Sequence, residues 1–446
     1  MDAPPEMPVE ECDVAVIGGG PAGSTAATLL ARGGHKVILL EKAHHPRFHI
    51  GESLLPMSLP LFERLGVADK VRALGVYKRG ADFEATNERG YNTFAFDRAL
   101  GRSPPHAYQV WRQDFDQMLF EHARASGADA REGHEVLRTE QRGPRDTCIE
   151  VHTDAGRDYR IRTRYLVDAS GRDAFLAAKN KLRRKNQEHQ SAAIFGHFRG
   201  AEVRPGEDAG NISMYRFAHG WMWMIPLPDG VMSVGAVCRP DYLKQRKGRT
   251  LEFLRETLQS NAALWKRMQG AELIGDQVRV TGNYSYDARQ IGGPGWVLIG
   301  DAFAFLDPVF STGVYLAMST AEEAVQVIEA VLREPRREAA LLRRLEQRAR
   351  TAIRRFSFFI YRFNNPVMKD MFGHPSNRLK IEQGVISMLA GDVLDAHPVF
   401  WRLQLFKLIY AMLGLANFRR WRDETHYRRA QARTHFTGGN TPLDPV

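Results

Sequence analysis

The sequence predicts an α/β fold: a parallel sheet flanked by helices, with an inserted mixed β-sheet domain and a helical C-terminal region. Three observations predict it. Two short apolar strands, Asp13 to Ile17 and Lys36 to Leu40, bracket a glycine-rich turn and a helix of small residues. A third buried strand, Gly295 to Gly300, returns far downstream. Beyond residue 320, apolar residues recur at helix spacing among many arginines. At 446 residues the chain exceeds what one hydrophobic core usually serves, so two domains or large insertions are expected.

The first strand runs into Gly18-Gly19-Gly20-Pro21-Ala22-Gly23, then a helix from Ser24 to Arg32, and the second strand ends in Glu41. This is β-turn-α-β with GxGxxG where a dinucleotide fingerprint demands it. Gly18 lets the turn close, Gly20 lets the backbone approach a pyrophosphate, and Gly23 lets helix pack against strand. The helix N-terminus offers N–H groups and a partial positive charge to phosphates. Glu41, 18 residues after Gly23, is placed to hold ribose hydroxyls. Gly18, Gly20, Pro21, Ala22, Gly23, Glu41 and Lys42 are the candidate dinucleotide-binding residues of a Rossmann-like unit.

The strand at 295–300 runs straight into Asp301-Ala302, which resembles the GD motif of FAD-dependent monooxygenases and their relatives. Two further pieces are similar to the same superfamily. Val110 to Asp116 opens a helix and carries Arg112, and Leu166 to Gly171 is a strand ending in an Asp-Ala-Ser-Gly turn that contains Asp168. The resemblance spans residues 13 to about 315 and implies FAD, with Arg112, Asp168 and Asp301 among its contacts. Each aspartate also reads alone as a helix N-cap.

Trp221-Met222-Trp223-Met224-Ile225-Pro226 resembles the WxWxIP signature of flavin-dependent halogenases. On a strand, Trp221, Trp223 and Ile225 share one face, as a wall or as ordinary core. Pro46 to Pro56, with Arg47 and Ser53 as cofactor contacts, and Gly75 to Phe83, with Lys78 as the essential lysine, look like the phenol- and pyrrole-type branch. Asp307 to Val314 resembles that family's halide loop, which makes Thr312 and Gly313 the halide-binding residues, Gly313 also facing the cofactor. Tryptophan halogenases carry a Glu two residues before the matching Thr. Phe310 stands there, which argues against free tryptophan and leaves the general base unassigned; Glu52 and His49 are candidates.

The implied reaction uses FADH2 from a separate NAD(P)H-dependent flavin reductase. A flavin C4a-hydroperoxide oxidises chloride or bromide to hypohalous acid, which reaches Lys78 and halogenates an electron-rich aromatic, free or tethered to an acyl or peptidyl carrier protein. An FAD-dependent aromatic monooxygenase and a prenyl-lipid reductase share the N-terminal motifs and stay as alternatives. The expected division is FAD-binding segments at 1–75, 111–180 and 286–335, substrate-domain segments at 76–110 and 181–285, and a helical region at 336–446.

Composition narrows the setting. Residues 331–446 hold 21 Lys/Arg against 10 Asp/Glu, and the remainder 41 against 42, so the excess positive charge is C-terminal. That suits a solvated helical surface or an acidic partner, a carrier protein before a membrane; nucleic acid is not expected, because no recognition motif accompanies it. Cys12, Cys148 and Cys238 are far apart, so neither a disulfide framework nor a metal site is expected, and a cytoplasmic setting fits. The N-terminal residues contain no signal-peptide h-region. Val399 to Ala416 is near-amphipathic and broken by Arg402 and Lys407; it is not expected to span a bilayer, and contact with a membrane surface is left open but not favoured.

Overall fold

A computed structural model describes residues 8–85, 90–275, 277–282, 285–394 and 397–433. Its first sheet has a parallel core in the order Asp129–Arg131, Val37–Leu40, Val9–Ile17, Asp158–Asp168, Trp296–Leu298. Val14, Ala15, Val16 and Leu39 are wholly buried, as a parallel sheet covered on both faces requires. The helices Pro21–Arg32 and Thr312–Arg333 pack on each other beside it. A hairpin, His134–Gly143 and Asp146–Thr153, adds the antiparallel edge.

The second sheet is mixed. Ala192–Arg199, Val231–Cys238, Gly220–Leu227, Ile212–Phe217, Gly80–Glu84 and Tyr91–Ala95 are successive neighbours, and only the pair Ile212–Phe217 with Gly80–Glu84 is parallel. The period of two in Gly220–Leu227 sorts its side chains. Trp221, Trp223 and Ile225 enter one hydrophobic cluster with the C-terminal helices, while Met222 and Met224 enter another with the helix Thr250–Gln259. Gly75–Lys78 does not join this sheet; it pairs with Ala107–Val110 in a separate two-stranded ladder.

Several boundaries differ from expectation for steric reasons. The strand expected at 295–300 shortens to Trp296–Leu298, because Gly295 and Gly300 both take left-handed conformations, φ +75° and +58°. Gly300 is also where the strand turn meets the helices: a Cβ there would lie 3.1 Å from Ala317 and 3.2 Å from Ala22. Within the helical C-terminal region, the helix Ile381–Leu389 is ended by Gly391 at φ +95°. The late apolar helix, His397–Ala416, buries Val399, Leu403, Phe406 and Tyr410, but Trp401, Leu408, Met412 and Leu415 are exposed. It is therefore apolar on both faces rather than near-amphipathic. Its span Pro398–Ala416 is long and apolar enough to cross a membrane by length and composition, despite Arg402 and Lys407.

Candidate active site

A cavity of about 590 Å³ opens at the carboxyl ends of the parallel strands, where Ile17, Leu40, Ala169 and Ile299 stand on its wall. A doubly wound sheet leaves its crevice at this edge. Gly18 sits at φ +101°, and a Cβ on Gly23 would lie 1.9 Å from the Gly18 carbonyl oxygen. The helix Pro21–Arg32 begins without a side-chain cap, so its first N–H groups are left to an anion. Gly20, Pro21 and Ala22 line the cavity; Gly23 serves the turn instead.

Glu41 and Lys42 also line the cavity. The Glu41 carboxylate accepts from Gly19 N (2.8 Å), Ala43 N (3.0 Å) and Arg47 Nη2 (3.1 Å), so it organises the turn as well as facing the ligand. The Lys42 ammonium is paired with exposed Asp173 at 2.6 Å. Arg112, on the first turn of the helix Arg112–Ala125, lines the cavity and grips Asp116 through two bonds of 2.9 and 3.0 Å. It also donates to the Ile50 carbonyl at 2.8 Å, fixing the loop that leads to Glu52. Burial pushes the Asp116 carboxyl up, and Arg112 more than offsets it, holding it below the usual carboxylate range. Arg112→Met strips a buried carboxylate of its two hydrogen bonds, leaving only Arg47 at 3.7 Å as a cation, and is expected to cost about 3 kcal/mol. Denaturant unfolding checks this: the double variant with Asp116→Asn should recover most of the loss, and a single variant as stable as wild type would contradict the pairing.

Asp301 follows its strand in a tight turn on the cavity wall, and burial raises its carboxyl to about 6. Asp168 is a correction. Its carboxylate accepts from Ser170 N (3.0 Å), Ser170 Oγ (2.5 Å) and Leu176 N (2.7 Å), and it does not line the cavity. It caps its own turn, as Asp does wherever backbone N–H groups converge.

Trp221, Trp223 and Ile225 line the cavity together, while Pro226 falls off the wall by alternation. Trp223 is fixed by its Nε1–H donating to Ser233 Oγ (3.1 Å) and by Gly235, where a Cβ would come within 2.6 Å of the indole. Further round, Ser311 takes φ +56° and the helix Thr312–Arg333 starts immediately after it. Thr312 and Gly313 line the cavity, and no atom lies within 4 Å of a Cβ position on Gly313. Phe310 is buried against Phe363 and Phe372, with ring centroids 5.7 and 6.4 Å away.

Lys78 is 1% exposed, and its Nζ donates to Ser53 Oγ (2.8 Å) and the Leu54 carbonyl (3.0 Å). Burial lowers its amine from 10.5 to about 7. Lys78 is not itself on the cavity wall; Ser53 is. The Ser53 hydroxyl, expected on the cofactor, therefore links the lysine to the cavity, with its own proton free to point inward. His197, on no sequence motif, holds Glu52 at 2.5 Å across 145 residues of chain. Asp116 was readable at i+4 from Arg112; the His197 pairing has no local signal.

Residues 11–357 match a family model described as an FAD binding domain. A tryptophan 2-halogenase of Chondromyces crocatus is 36% identical over 324 residues, which is 72% of this chain but 61% of that protein, so the chain spans less than two thirds of that relative. A 1H-pyrrole-2-carbonyl-(peptidyl-carrier protein) chlorinase of Pseudomonas fluorescens is 30% identical over 349 residues, 73% of this chain and 77% of that protein. The chain belongs to the flavin-dependent halogenase family. Among solved halogenases, the myxobacterial chondrochloren halogenase CndH superposes with a TM-score of 0.76 at 30% identity, covering 89% of this chain and 96% of that one. A flavoprotein/dehydrogenase from Cytophaga hutchinsonii shares the backbone at TM-score 0.83 and 27% identity, covering 92% and 100%. Fold alone thus does not select the reaction within this wider group. FAD is the cofactor of this halogenase-family chain, and the cavity fits it: the uncapped helix and the close glycine turn suit its pyrophosphate.

Proposed function

We propose that this chain halogenates an electron-rich aromatic, a phenol or pyrrole, with chloride or bromide and O2. The observation that carries the reading is Lys78, a wholly buried amine one hydroxyl away from the cavity. An aromatic hydroxylase has no use for it. FAD, supplied reduced by a separate flavin reductase, provides the oxidation of halide to hypohalous acid. The residues then divide the work. The N–H groups at Thr312 and Gly313 hold the halide at the start of a helix. Trp221 and Trp223 keep the aromatic away from the cofactor. Lys78, neutral near pH 7, offers a lone pair that receives and aims the hypohalous acid; the always-charged Arg79 beside it cannot.

Residues 76–110 and 181–285 supply the acceptor side, and 1–75, 111–180 and 286–335 the cofactor side. A carrier-tethered substrate is supported by the C-terminal excess of basic residues and by likeness to the pyrrolyl-carrier chlorinase. The buried free thiols Cys12, Cys148 and Cys238 suit the reducing cytoplasm. The test is mass spectrometry of products formed with a flavin reductase, NADH, oxygen and bromide, across phenols and pyrroles, free and carrier-bound. Brominated product with the paired isotope pattern is expected. Only oxygenated product or peroxide would remove the halogenase reading.

A further inference from the structure

Halogenating an aromatic ring releases a proton. In the halide loop position 310 is a phenylalanine buried among other phenylalanines, and both oxygens of the loop's carboxylate, Asp307, are engaged: Oδ1 accepts from Val309 N (3.1 Å), and Oδ2 meets His189 Nε2 (2.9 Å) and Ser191 Oγ (2.5 Å). The cavity wall holds a carboxylate elsewhere. Glu52 is 1% exposed and lines the cavity. Its Oε1 lies 2.5 Å from His197 Nε2, while its Oε2 is buried with no hydrogen-bond partner among the described residues. A buried carboxylate oxygen without a donor is costly, and such groups are rare unless something else comes to them.

The surroundings hold Glu52 in place. Its carbonyl accepts from Val110 N at 2.8 Å, and its chain neighbour Ser53 carries the bond to Lys78. His197, on the strand Ala192–Arg199, is packed against the ring of Trp111 at 4.7 Å and the edge of Phe48 at 6.1 Å. His49, which also lines the cavity, is less suited: its Nδ1 is bonded to the Ile50 carbonyl at 2.8 Å, and burial lowers its pKa to about 4.

We propose that Glu52 is the base that removes the ring proton during halogenation, and that His197 is the positioning residue that holds its carboxylate. The inference rests on the halogenase reading. The ring carbon forms its bond to halogen as the halogen–oxygen bond of hypohalous acid breaks and hydroxide leaves. The C–H electron pair returns to the ring, the proton passes to Glu52 Oε2, and Glu52 then gives it to the hydroxide to make water. Aromatic C–H and hypohalous acid thus become aryl halide and water.

The experiment uses the full chain with FAD, flavin reductase, NADH, oxygen and bromide, and as probes resorcinol and pyrrole-2-carboxylate, each also ring-deuterated. Glu52→Gln is expected to slow bromination roughly 100-fold or more. Its oxygen consumption and FAD affinity should stay at the wild-type level. It should also show a primary ring-deuterium isotope effect that the wild type lacks. Glu52→Asp should recover a good part of the rate. His197→Gln should lie between, with the acid limb of its pH–rate profile displaced from wild type. An E52Q enzyme that brominates at the wild-type rate without an isotope effect overturns the assignment, as does one that loses FAD affinity tenfold, since Glu52 would then be a cofactor ligand. A wild type that consumes oxygen yet brominates neither probe overturns the halogenase reading itself, and this assignment with it.

Discussion

Replacing Lys78 by methionine is expected to abolish halogenation and at the same time raise the melting temperature. The two effects share one cause. The amine is buried without a carboxylate partner, beside the Phe96 ring at 5.4 Å and two oxygen acceptors. Burial lowers it from 10.5 to about 7. The unfolded chain therefore holds this proton between pH 7 and 10.5 while the folded chain does not. Stability contributed by this site rises with pH across that window, and below pH 7 the full penalty applies. A displacement of this size is worth up to roughly 5 kcal/mol, part of which Met forfeits by leaving the Leu54 carbonyl unpaired. Scans of melting temperature from pH 6.5 to 10 should show a rising wild-type curve and a flatter, higher one for K78M. Product formation should fall on the order of 10³-fold or more, because a thioether consumes hypohalous acid as an oxidant, ending as the sulfoxide, and does not pass the halogen on. Wild-type halogenation should climb as pH passes through about 7, where the amine loses its proton. An unchanged pH slope in K78M would mean the lysine is not the desolvated group described; retained halogenation would mean the reaction bypasses it.

The second large effect belongs to Gly23→Ala. The added methyl would sit 1.9 Å from the Gly18 carbonyl oxygen and 3.2 Å from the Ala169 Cβ. The first neighbour is backbone, at the end of a strand paired on both sides, so it yields poorly. Helix and strand must part, at an expected cost of about 3 kcal/mol, and the cradle for the pyrophosphate opens with them. The variant should purify colourless or with FAD weakened at least about 100-fold, a loss of some 3 kcal/mol in binding. Gly313→Ala is the matched control. Its methyl meets no protein atom within 4 Å, so its unfolding curve should overlay the wild type. Equal flavin content in G23A and wild type would show that the turn tolerates a side chain and that the steric argument is wrong.

Much of the site was legible because it is local. A glycine turn, an uncapped helix start and an alternating Trp-x-Trp strand each express their geometry within about six residues, through sterics and period alone. Where one feature can satisfy itself, the same locality misled. Asp168 looked like a cofactor contact, yet the N–H groups of its own turn consume its carboxylate. Ser53 looked like another, and its hydroxyl is met by a lysine 25 residues on. The late helix looked near-amphipathic because the two charges that interrupt it stood out in the string, whereas the fold leaves its outer apolar side uncovered.

The sequence by itself determined the FAD-binding class of the chain, its glycine turn and the shared face of Trp221, Trp223 and Ile225. These depend on backbone conformation and side-chain period, which neighbours along the chain dictate. Only the tertiary structure decided which buried groups share a wall. It put Ser53 between Lys78 and the cavity, closed Arg112 onto the Ile50 carbonyl, packed Phe310 against Phe363 and Phe372, and set His197 against Glu52. Those pairings follow from which strands become neighbours across long stretches of chain, a choice made by burial of the whole core and written in no single segment.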